Sequence, residues 1–328
     1  MQSRRSIVLG FVALYAANGG SCLAQASNSP QLFAPGVISG PADDLSPAFA
    51  PDGKTVVFTR SNGTATMIVT STFAHGRWSA PTVAPFSGHW RDFEPTMSPD
   101  GSFLVFASNR PGDGTTKPLD GNFDHKTFPE GGGHLWRVDF AHGRWGTPVE
   151  LPAAINSGTS VFSPSVSADG SIYFMRPDSA TGLFHLFRSQ ARGATYLAAT
   201  PVGVGDATTE DVDPAVAPNE RYLVFSSNHP DQHVPKRLRI AFRSGDGWGA
   251  PVDLGDEVNE SGSNIEARLS PDGRTLYFST NTVPPSRLPR SDAQAKTELM
   301  QMEVWANGRE NIWYVSLAPW LASAPPTP

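Results

Sequence analysis

The apolar residues of this chain fall in short runs that are separated by polar turns. The clearest run, Phe103–Phe106, follows the turn Ser98–Gly101, which reads Ser-Pro-Asp-Gly, and a polar stretch precedes that turn from Asp92 onward. A short apolar run between turn signals indicates a β-strand that is buried on both faces. Proline fits an early turn position and glycine supplies the positive φ of a tight turn, so the segment predicts a hairpin.

The same turn and apolar run return along the chain at a period of about 50 residues. The acidic or amide residue of the turn is, in order, Asp52, Asp100, Asp169, Asn219 and Asp272. A second motif, in which Gly, Trp and then Pro follow a third strand, recurs at Trp78, Trp145 and Trp248. One unit is therefore strand a, an Asp-Gly turn, strand b, a loop, strand c and a short strand d that contains the Trp. Such a period of short strands is a β-propeller signature.

We predict an all-β fold, a five-bladed β-propeller of four-stranded antiparallel blades. The blades span Asp44–Trp90, Asp92–Thr159, Ser160–Thr209, Glu210–Gly262 and Ser263–Trp320. The last repeat ends after its third strand, and an unassigned strand precedes the first repeat. Leu32–Val37 is therefore expected to pair with Ile312–Leu317 and to close the ring, because closure removes the open sheet edges.

Two insertions interrupt the repeats, Pro111–Gly133 in the second blade and Asn281–Glu310 in the fifth. We call them insert 1 and insert 2. A six-bladed ring is the alternative fold, and it would need a hidden repeat in one of the inserts. Neither insert shows paired strand runs, and Asp292–Trp305 within insert 2 is predicted to form a short helix.

The repeat resembles a known family. The resemblance rests on four features: the Asp-x-Glu-Pro lead-in before strand a, the Ser-Pro-Asp-Gly turn, the Phe of strand b and the Ser-Asn-Arg that follows. Together they resemble the WD40-like (PD40-type) propeller repeats of TolB-like periplasmic proteins. The resemblance covers Gln31 to Leu317 and implies a propeller fold. TolB carries an α/β domain before its propeller, for which this chain shows no counterpart, and it has six blades.

The first 26 residues read as a signal peptide. Arg4 and Arg5 form a charged start, Ile7–Ala17 is apolar but too short to span a membrane, and Ala24–Ala26 offers small residues for cleavage. We expect a periplasmic or secreted protein with a single propeller domain at residues 27–320 and a flexible tail at 321–328. The alternative is a lipid anchor at Cys22, although the usual Leu of such a site is missing.

The composition limits the classes of partner that the protein is expected to bind. The chain has 31 Gly, 30 Pro and a formal charge of −6, which suits many turns and disfavours nucleic acid, because nucleic-acid sites need a basic face. No stretch predicts a membrane-spanning segment, and we expect a monomer. The partner is expected to be an envelope protein or a saccharide or peptide ligand.

The candidate site follows from propeller geometry, which places the lead-ins and the loops between strands b and c on one face. Strand a is innermost, so acidic lead-ins should rim the central channel. The candidate ligand-binding residues are Asp92, Glu94, Arg110, Asp211, Asp213, His229 and Glu266. One interpretation is a polar pocket for a sugar, a peptide end or a calcium ion. The other is that the acids accept hydrogen bonds from loop backbone and pair with the Arg residues.

No nucleophile elbow, zinc-protease motif or phosphate loop occurs, and no catalytic residue is assigned. We therefore expect a binding or scaffold protein that needs no cofactor, apart from the calcium ion considered above. The alternative is a carbohydrate-active hydrolase or lyase that uses carboxylates at the channel mouth. The two hypotheses differ in one geometric feature, since a glycosidase places two carboxyl groups about 5–10 Å apart across an open cleft.

Overall fold

The structure is a computed structural model, and it describes residues 29–259, 262–283 and 285–325. Five antiparallel sheets form a five-bladed β-propeller, which confirms the predicted fold class. Every inner strand contacts the inner strands of both neighbouring blades, and the fifth contacts the first. The six-bladed alternative is therefore wrong. The predicted signal peptide and Cys22 lie outside the described residues.

The strands are short, as the apolar runs indicate. Blades 1 and 2 contain β2 (Asp43–Phe49), β3 (Thr55–Ser61), β4 (Thr66–Ala74), β5 (Arg77–Trp78), β6 (Thr82–Val83), β7 (Asp92–Met97), β8 (Phe103–Ser108), β11 (His134–Ala141), β12 (Arg144–Trp145) and β13 (Val149–Glu150); β9 (Gly121–Phe123) and β10 (Lys126–Phe128) lie in insert 1, and β1 (Gln31–Leu32) precedes them all. Blade 3 contains β14 (Phe162–Val166), β15 (Ile172–Pro177), β16 (Phe184–Ser189), β17 (Ala191–Arg192), β18 (Thr195–Tyr196) and β19 (Thr200–Pro201). Blades 4 and 5 contain β20 (Glu210–Val216), β21 (Tyr222–Asn228), β22 (Arg237–Ser244), β23 (Gly247–Trp248), β24 (Val252–Asp253), β25 (Ile265–Leu269), β26 (Thr275–Thr280) and β27 (Asn311–Ser316). The helices are α1 (Asp256–Asn259), α2 (Asp292–Val304), α3 (Ala318–Ala322) and a 3₁₀ turn at Pro230–Gln232.

The N-terminal strand closes the ring, as predicted. β1 pairs with β27, Gln31 opposite Tyr314 and Leu32 opposite Trp313, and so forms the outer strand of blade 5. The paired segment is shorter than predicted because the chain turns away after Phe33, whose N–H still donates to the Ile312 carbonyl at 2.8 Å, and φ is positive at Ala34 and Gly36. Val37 therefore does not continue the strand.

Aromatic packing holds the blades together. The Phe of strand b is buried in every blade, at Phe58, Phe106, Phe174, Phe225 and Phe278. Burying a side chain of this size stabilises the fold by about 2–3 kcal/mol. The recurring Trp packs across blade boundaries: Trp145 contacts Phe86 of blade 1, and Trp248 contacts Tyr173 of blade 3.

Each insert contains regular secondary structure among its described residues. Insert 1 contains a hairpin of β9 and β10, so the expectation that it lacks paired strand runs is wrong, although the hairpin is no blade. Phe123 of this hairpin stacks on Phe128 and packs on Phe184 of blade 3. Insert 2 contains the predicted helix, which begins with a capping box between Ser291 and Gln294.

Candidate functional site

Each inner strand carries a β-bulge in its lead-in. The bulged residue, which has positive φ in every blade, is Ser46, Glu94, Ser163, Asp213 or Glu266. A positive φ costs free energy for a residue with a side chain, and a β-bulge changes the direction in which a side chain points. Because this conformation recurs in all five blades, it indicates that the bulged side chains have the same role in each blade. The bulges bring these side chains together from different blades.

Three of the bulged residues form a cluster of carboxylates at the meeting point of the blades. One carboxylate oxygen of each of Glu94, Asp213 and Glu266 lies within 4.8 Å of those of the other two. We call this group, with Ser46 and Ser163, the axial cluster. Ser46 Oγ donates to Glu266 Oε2 at 2.5 Å, and the backbone N–H of Ser163 donates to Glu94 Oε2 at 2.6 Å. The backbone N–H of Glu266 donates to Asp213 Oδ2 at 2.9 Å. These hydrogen bonds therefore join blade 5 to blades 1 and 4, and blade 2 to blade 3.

Burial dominates the electrostatics of the cluster. Desolvation, with the nearby Asp213 carboxylate as second cause, raises the pKa of Glu94 to about 7. The same two causes, followed by the charge of Glu94, raise the pKa of Glu266 well above its usual value. A charged carboxylate loses its hydration when it is buried, so the neutral form is favoured. Protons are therefore held in this cluster at a pH where surface carboxylates have lost theirs.

Arg268 is a buried cation beside the axial cluster, and the sequence reasoning missed it. It is 3% exposed, donates to the carbonyl of Pro95 at 3.3 Å, and lies 3.4 Å from Glu266 Oε2. The matching positions of the other inner strands carry the small residues Ala48, Thr96, Ser165 and Ala215. The presence of one arginine among small residues at this repeat position is the sequence signal that could have identified Arg268. On the side of the Asp-Gly turns, these residues line a cavity of about 70 Å³.

The acids two residues before the bulged position, Asp44, Asp92 and Asp211, have a different environment. Asp92 accepts from Ser87 at 2.9 Å and from Ser108 at 2.7 Å, and it pairs with Arg110. Asp44 pairs with Arg60 in the same way. These acids are buried and tie a lead-in to strand b of their own blade. Burial raises the pKa of Asp44 to about 6, although Arg60 opposes the increase.

Asp211 is likewise held within its blade, by Ser227 Oγ at 2.7 Å and Thr209 Oγ1 at 3.0 Å. Burial is the largest cause of its raised pKa. His229 is partly exposed, and its Nδ1 lies 3.4 Å from Thr208 Oγ1. Of the seven candidate residues, the structure thus brings Glu94, Asp213 and Glu266 together in the axial cluster and pairs Asp92 with Arg110 within blade 2, whereas Asp211 and His229 join neither group. Whether any of the seven binds a ligand stays a prediction.

The axial cluster is also the place where a cation could be held. Calcium binds six to eight oxygen ligands, which in proteins are mostly carboxylates, carbonyls and water. The cluster offers three carboxylates and two hydroxyls, and Arg268 already supplies one positive charge beside them. The calcium ion therefore stays a prediction, and Glu94, Asp213 and Glu266 are the residues that would hold it.

The inserts lie against different neighbours. Insert 1 leans on blade 3, where the backbone N–H of Asp124 donates to the carbonyl of Gly182. Insert 2 leans on the segment before blade 1, since Asn307 donates to the carbonyl of Pro41 and Arg309 pairs with Asp43. Each insert thus contacts the blade that follows its own in the ring. In the part of the chain that the structure describes, no helix has the length and apolar character that a membrane span requires.

Comparisons with known proteins support the fold and leave the function open. No model of a protein family matches the chain, and no curated protein matches its sequence. Among solved structures, the α-L-arabinofuranosidase of Lactobacillus brevis matches with a TM-score of 0.55 at 10% identity, over 85% of this chain and 91% of that chain. TolB of Acinetobacter baumannii matches with a TM-score of 0.43 at 20% identity, over 69% of this chain and 46% of TolB.

A putative TolB of Agrobacterium tumefaciens matches with a TM-score of 0.48 at 14% identity, over 84% of this chain and 91% of that chain. The match to the Acinetobacter TolB spans less than half of that protein's length. At such identities the similarity shows the fold alone. The similar structures thus include both TolB propellers and a glycosidase.

Proposed function

We propose that this chain is an exported, periplasmic binding or scaffold protein that recognises an envelope protein on the face of the lead-ins and inserts. The observation that carries the proposal is the apolar exposure of insert 2. Leu299, Met300 and Met302 of α2 are 57%, 60% and 50% exposed, and Leu288 before the helix is 79% exposed. Several large exposed apolar side chains on one short segment are typical of an interaction site.

The helix is built to present these residues. Its capping box fixes its first turn, and no residue of the helix is buried. An ion pair between Arg290 and Glu298 joins the preceding loop to the helix. Methionine side chains are flexible and polarizable, so they adapt to the surface of a partner. A stable helix that buries none of its own apolar residues gains little from the propeller and much from a partner.

The axial carboxylates support this role better than the hydrolase alternative. A glycosidase needs two carboxyl groups across an open cleft that admits a sugar ring. Glu94, Asp213 and Glu266 are at most 8% exposed, and their oxygens lie within 4.8 Å of one another. They also hydrogen-bond to neighbouring blades, which suits residues that hold the inner strands together. We therefore propose a structural role for the cluster and no catalysis there.

The test compares two faces of the propeller. Wild-type protein and the variant Met300→Glu/Met302→Glu are crosslinked in envelope extract, and the captured proteins are compared. The matched control is Lys54→Glu, a charge change at an exposed position on the opposite face. We expect a partner that the wild type and the control capture and the Met variant loses. Loss in the control with retention in the Met variant would place the binding surface on the face of the Asp-Gly turns.

Point substitutions are preferable to removing insert 1. Replacement of residues 112–132 by a short turn should abolish binding if insert 1 also contacts the partner. However, Phe123 packs on Phe184 and joins the core of blades 2 and 3. Its removal would uncover core residues, so the truncated protein needs a stability measurement beside the binding assay.

A further inference from the structure

Blade 5 contains a cavity at a place where blade 2 holds one of its own arginines. In blade 2 the Arg110 guanidinium lies 5.1 Å from the ring centre of Phe106 and 5.2 Å from that of Trp136. Its Nη2 donates to Asp92 Oδ1, and its Nε donates to Ser108 Oγ at 2.9 Å. Two aromatic rings, a carboxylate and a hydroxyl thus form a cage around the cation.

The repeat assigns each member of this cage a counterpart in blade 5. Strands b and c pair Phe106 with Trp136 in blade 2, and Phe278 with Trp313 in blade 5. Two residues after each Phe come Ser108 and Thr280, and the lead-in residue that matches Asp92 is Asn264. The four counterparts in blade 5 are Asn264, Phe278, Thr280 and Trp313, and all four line one cavity of about 130 Å³.

The cation itself has no counterpart in blade 5. Arg110 lies four residues after Phe106, and the residue four after Phe278 is Thr282, which also lines the cavity. In blades 1 and 3 the arginine two residues after the Phe, Arg60 or Arg176, stacks on a ring, whereas blade 5 has Thr280 at that position. Blade 5 therefore retains the cage while its own strand b supplies no guanidinium.

One residue of the cavity wall, Asn264, has a side-chain oxygen without a hydrogen-bond partner among the described residues. Asn264 is 1% exposed, and its Oδ1 is buried and accepts no hydrogen bond from the described residues. Its Nδ2 donates to Asn259, so the amide oxygen is the free acceptor. A buried acceptor without a donor costs free energy that a ligand could recover. In blade 2 the corresponding oxygen, Asp92 Oδ1, accepts a hydrogen bond from Arg110.

We propose that this cavity binds the guanidinium group of an arginine side chain from a partner. Its volume suits a planar cation with a short stem, the aromatic residues Phe278 and Trp313 line it, and Asn264 in its wall has a buried amide oxygen that accepts no hydrogen bond from the described residues. Glu257 lines the same cavity and adds a carboxylate. Trp313 packs on Trp305 at the end of α2, so the site adjoins insert 2. The inference rests on the proposed function for its protein source, while the guanidinium site stands without it.

The experiment titrates wild-type protein with N-acetyl-arginine amide and with the isosteric, uncharged N-acetyl-citrulline amide, by calorimetry. We expect binding of the arginine probe and none of the citrulline probe. Asn264→Asp restores the charge present at Asp92 and should tighten arginine binding about tenfold, since a charge-assisted hydrogen bond replaces a neutral one. Equal binding of the two probes would overturn the proposal.

Two further variants keep the test decisive. Thr282→Arg places a guanidinium where Arg110 has one, so it should fill the cage, raise the melting temperature and abolish probe binding. Thr64→Arg, an exposed change in the matching loop of blade 1, is the control and should leave binding unchanged. Undiminished probe binding by Thr282→Arg would show that the probe sits elsewhere.

A last comparison separates the sources of the guanidinium. Tighter binding of a Gly-Arg-Gly peptide than of free arginine supports a protein partner, and the reverse order overturns that source. Binding of the arginine probe together with unchanged partner capture by the Met300→Glu/Met302→Glu variant would contradict the proposed docking surface alone. The two proposals can therefore fail separately.

Discussion

The axial cluster predicts that stability falls as pH rises, and Glu94→Gln tests this directly. The unfolded pKa of this carboxyl is 4.5 and its folded pKa is about 7, so the folded state binds the additional proton. A raised folded pKa contributes stability that is present below about pH 4.5 and is lost as pH rises through about 7. The substituted glutamine side chain keeps the size and an acceptor for the N–H of Ser163 but carries no charge at any pH.

The increase in the pKa of Glu94 determines how large the change in stability should be. From 4.5 to about 7 it corresponds to about 3 kcal/mol in the free energy of unfolding. We expect Glu94→Gln, relative to its effect at about pH 5, to stabilise the fold by up to that amount at about pH 8. The raised pKa values of Asp44, Asp211 and Glu310 also lower stability with pH, but they are present in both proteins and cancel.

The assay is urea unfolding of both proteins at the two pH values, with Glu303→Gln as a matched control at an exposed position of α2. The control should show no difference between the two pH values. The reasoning is refuted if Glu94→Gln changes the free energy of unfolding equally at both. Unfolding in calcium chloride and in a chelator then shows whether a bound cation, and not burial alone, determines the charge state of Glu94. A bound cation would keep Glu94 ionised, and calcium would then stabilise the wild type at high pH but not the variant.

Three other predictions follow from the same structure. Deletion of residues 27–40 removes β1 and exposes the edge of β27, so it should yield insoluble or protease-sensitive protein. The control deletion of residues 323–328 should not have this effect, and an unchanged melting temperature of the first deletion variant would argue against ring closure. Arg268→Met removes the buried cation that pairs with Glu266 and should destabilise the fold by about 3 kcal/mol at high pH and by less at low pH, measured by urea unfolding; equal losses would mean that Arg268 acts through packing alone. Export should yield a mature chain that begins at Ser27, which intact mass spectrometry of periplasmic protein checks; a lipidated chain that begins at Cys22 would favour the anchor.

The sequence by itself determined the blade count, the strand order and the closure. The Asp-Gly turn and the Phe of strand b repeat because every blade solves the same local problem, a tight hairpin whose second strand is buried on both faces. Such signals lie within about 20 residues of one another and need no knowledge of the ring. The lead-in positions of Glu94, Asp213 and Glu266 were also evident from the repeat.

The tertiary structure decided which of these residues meet. Asp92 and Glu94 are two residues apart, yet the bulge sends Asp92 into its own blade and Glu94 toward Asp213 and Glu266. That separation depends on a positive φ at Glu94, which a non-glycine sequence does not announce. Likewise Thr282 is an ordinary loop threonine in the sequence, and it became informative when the register of blade 5 was compared with that of blade 2. Contacts between blades depend on the closed ring, so the sequence of one repeat could not specify them.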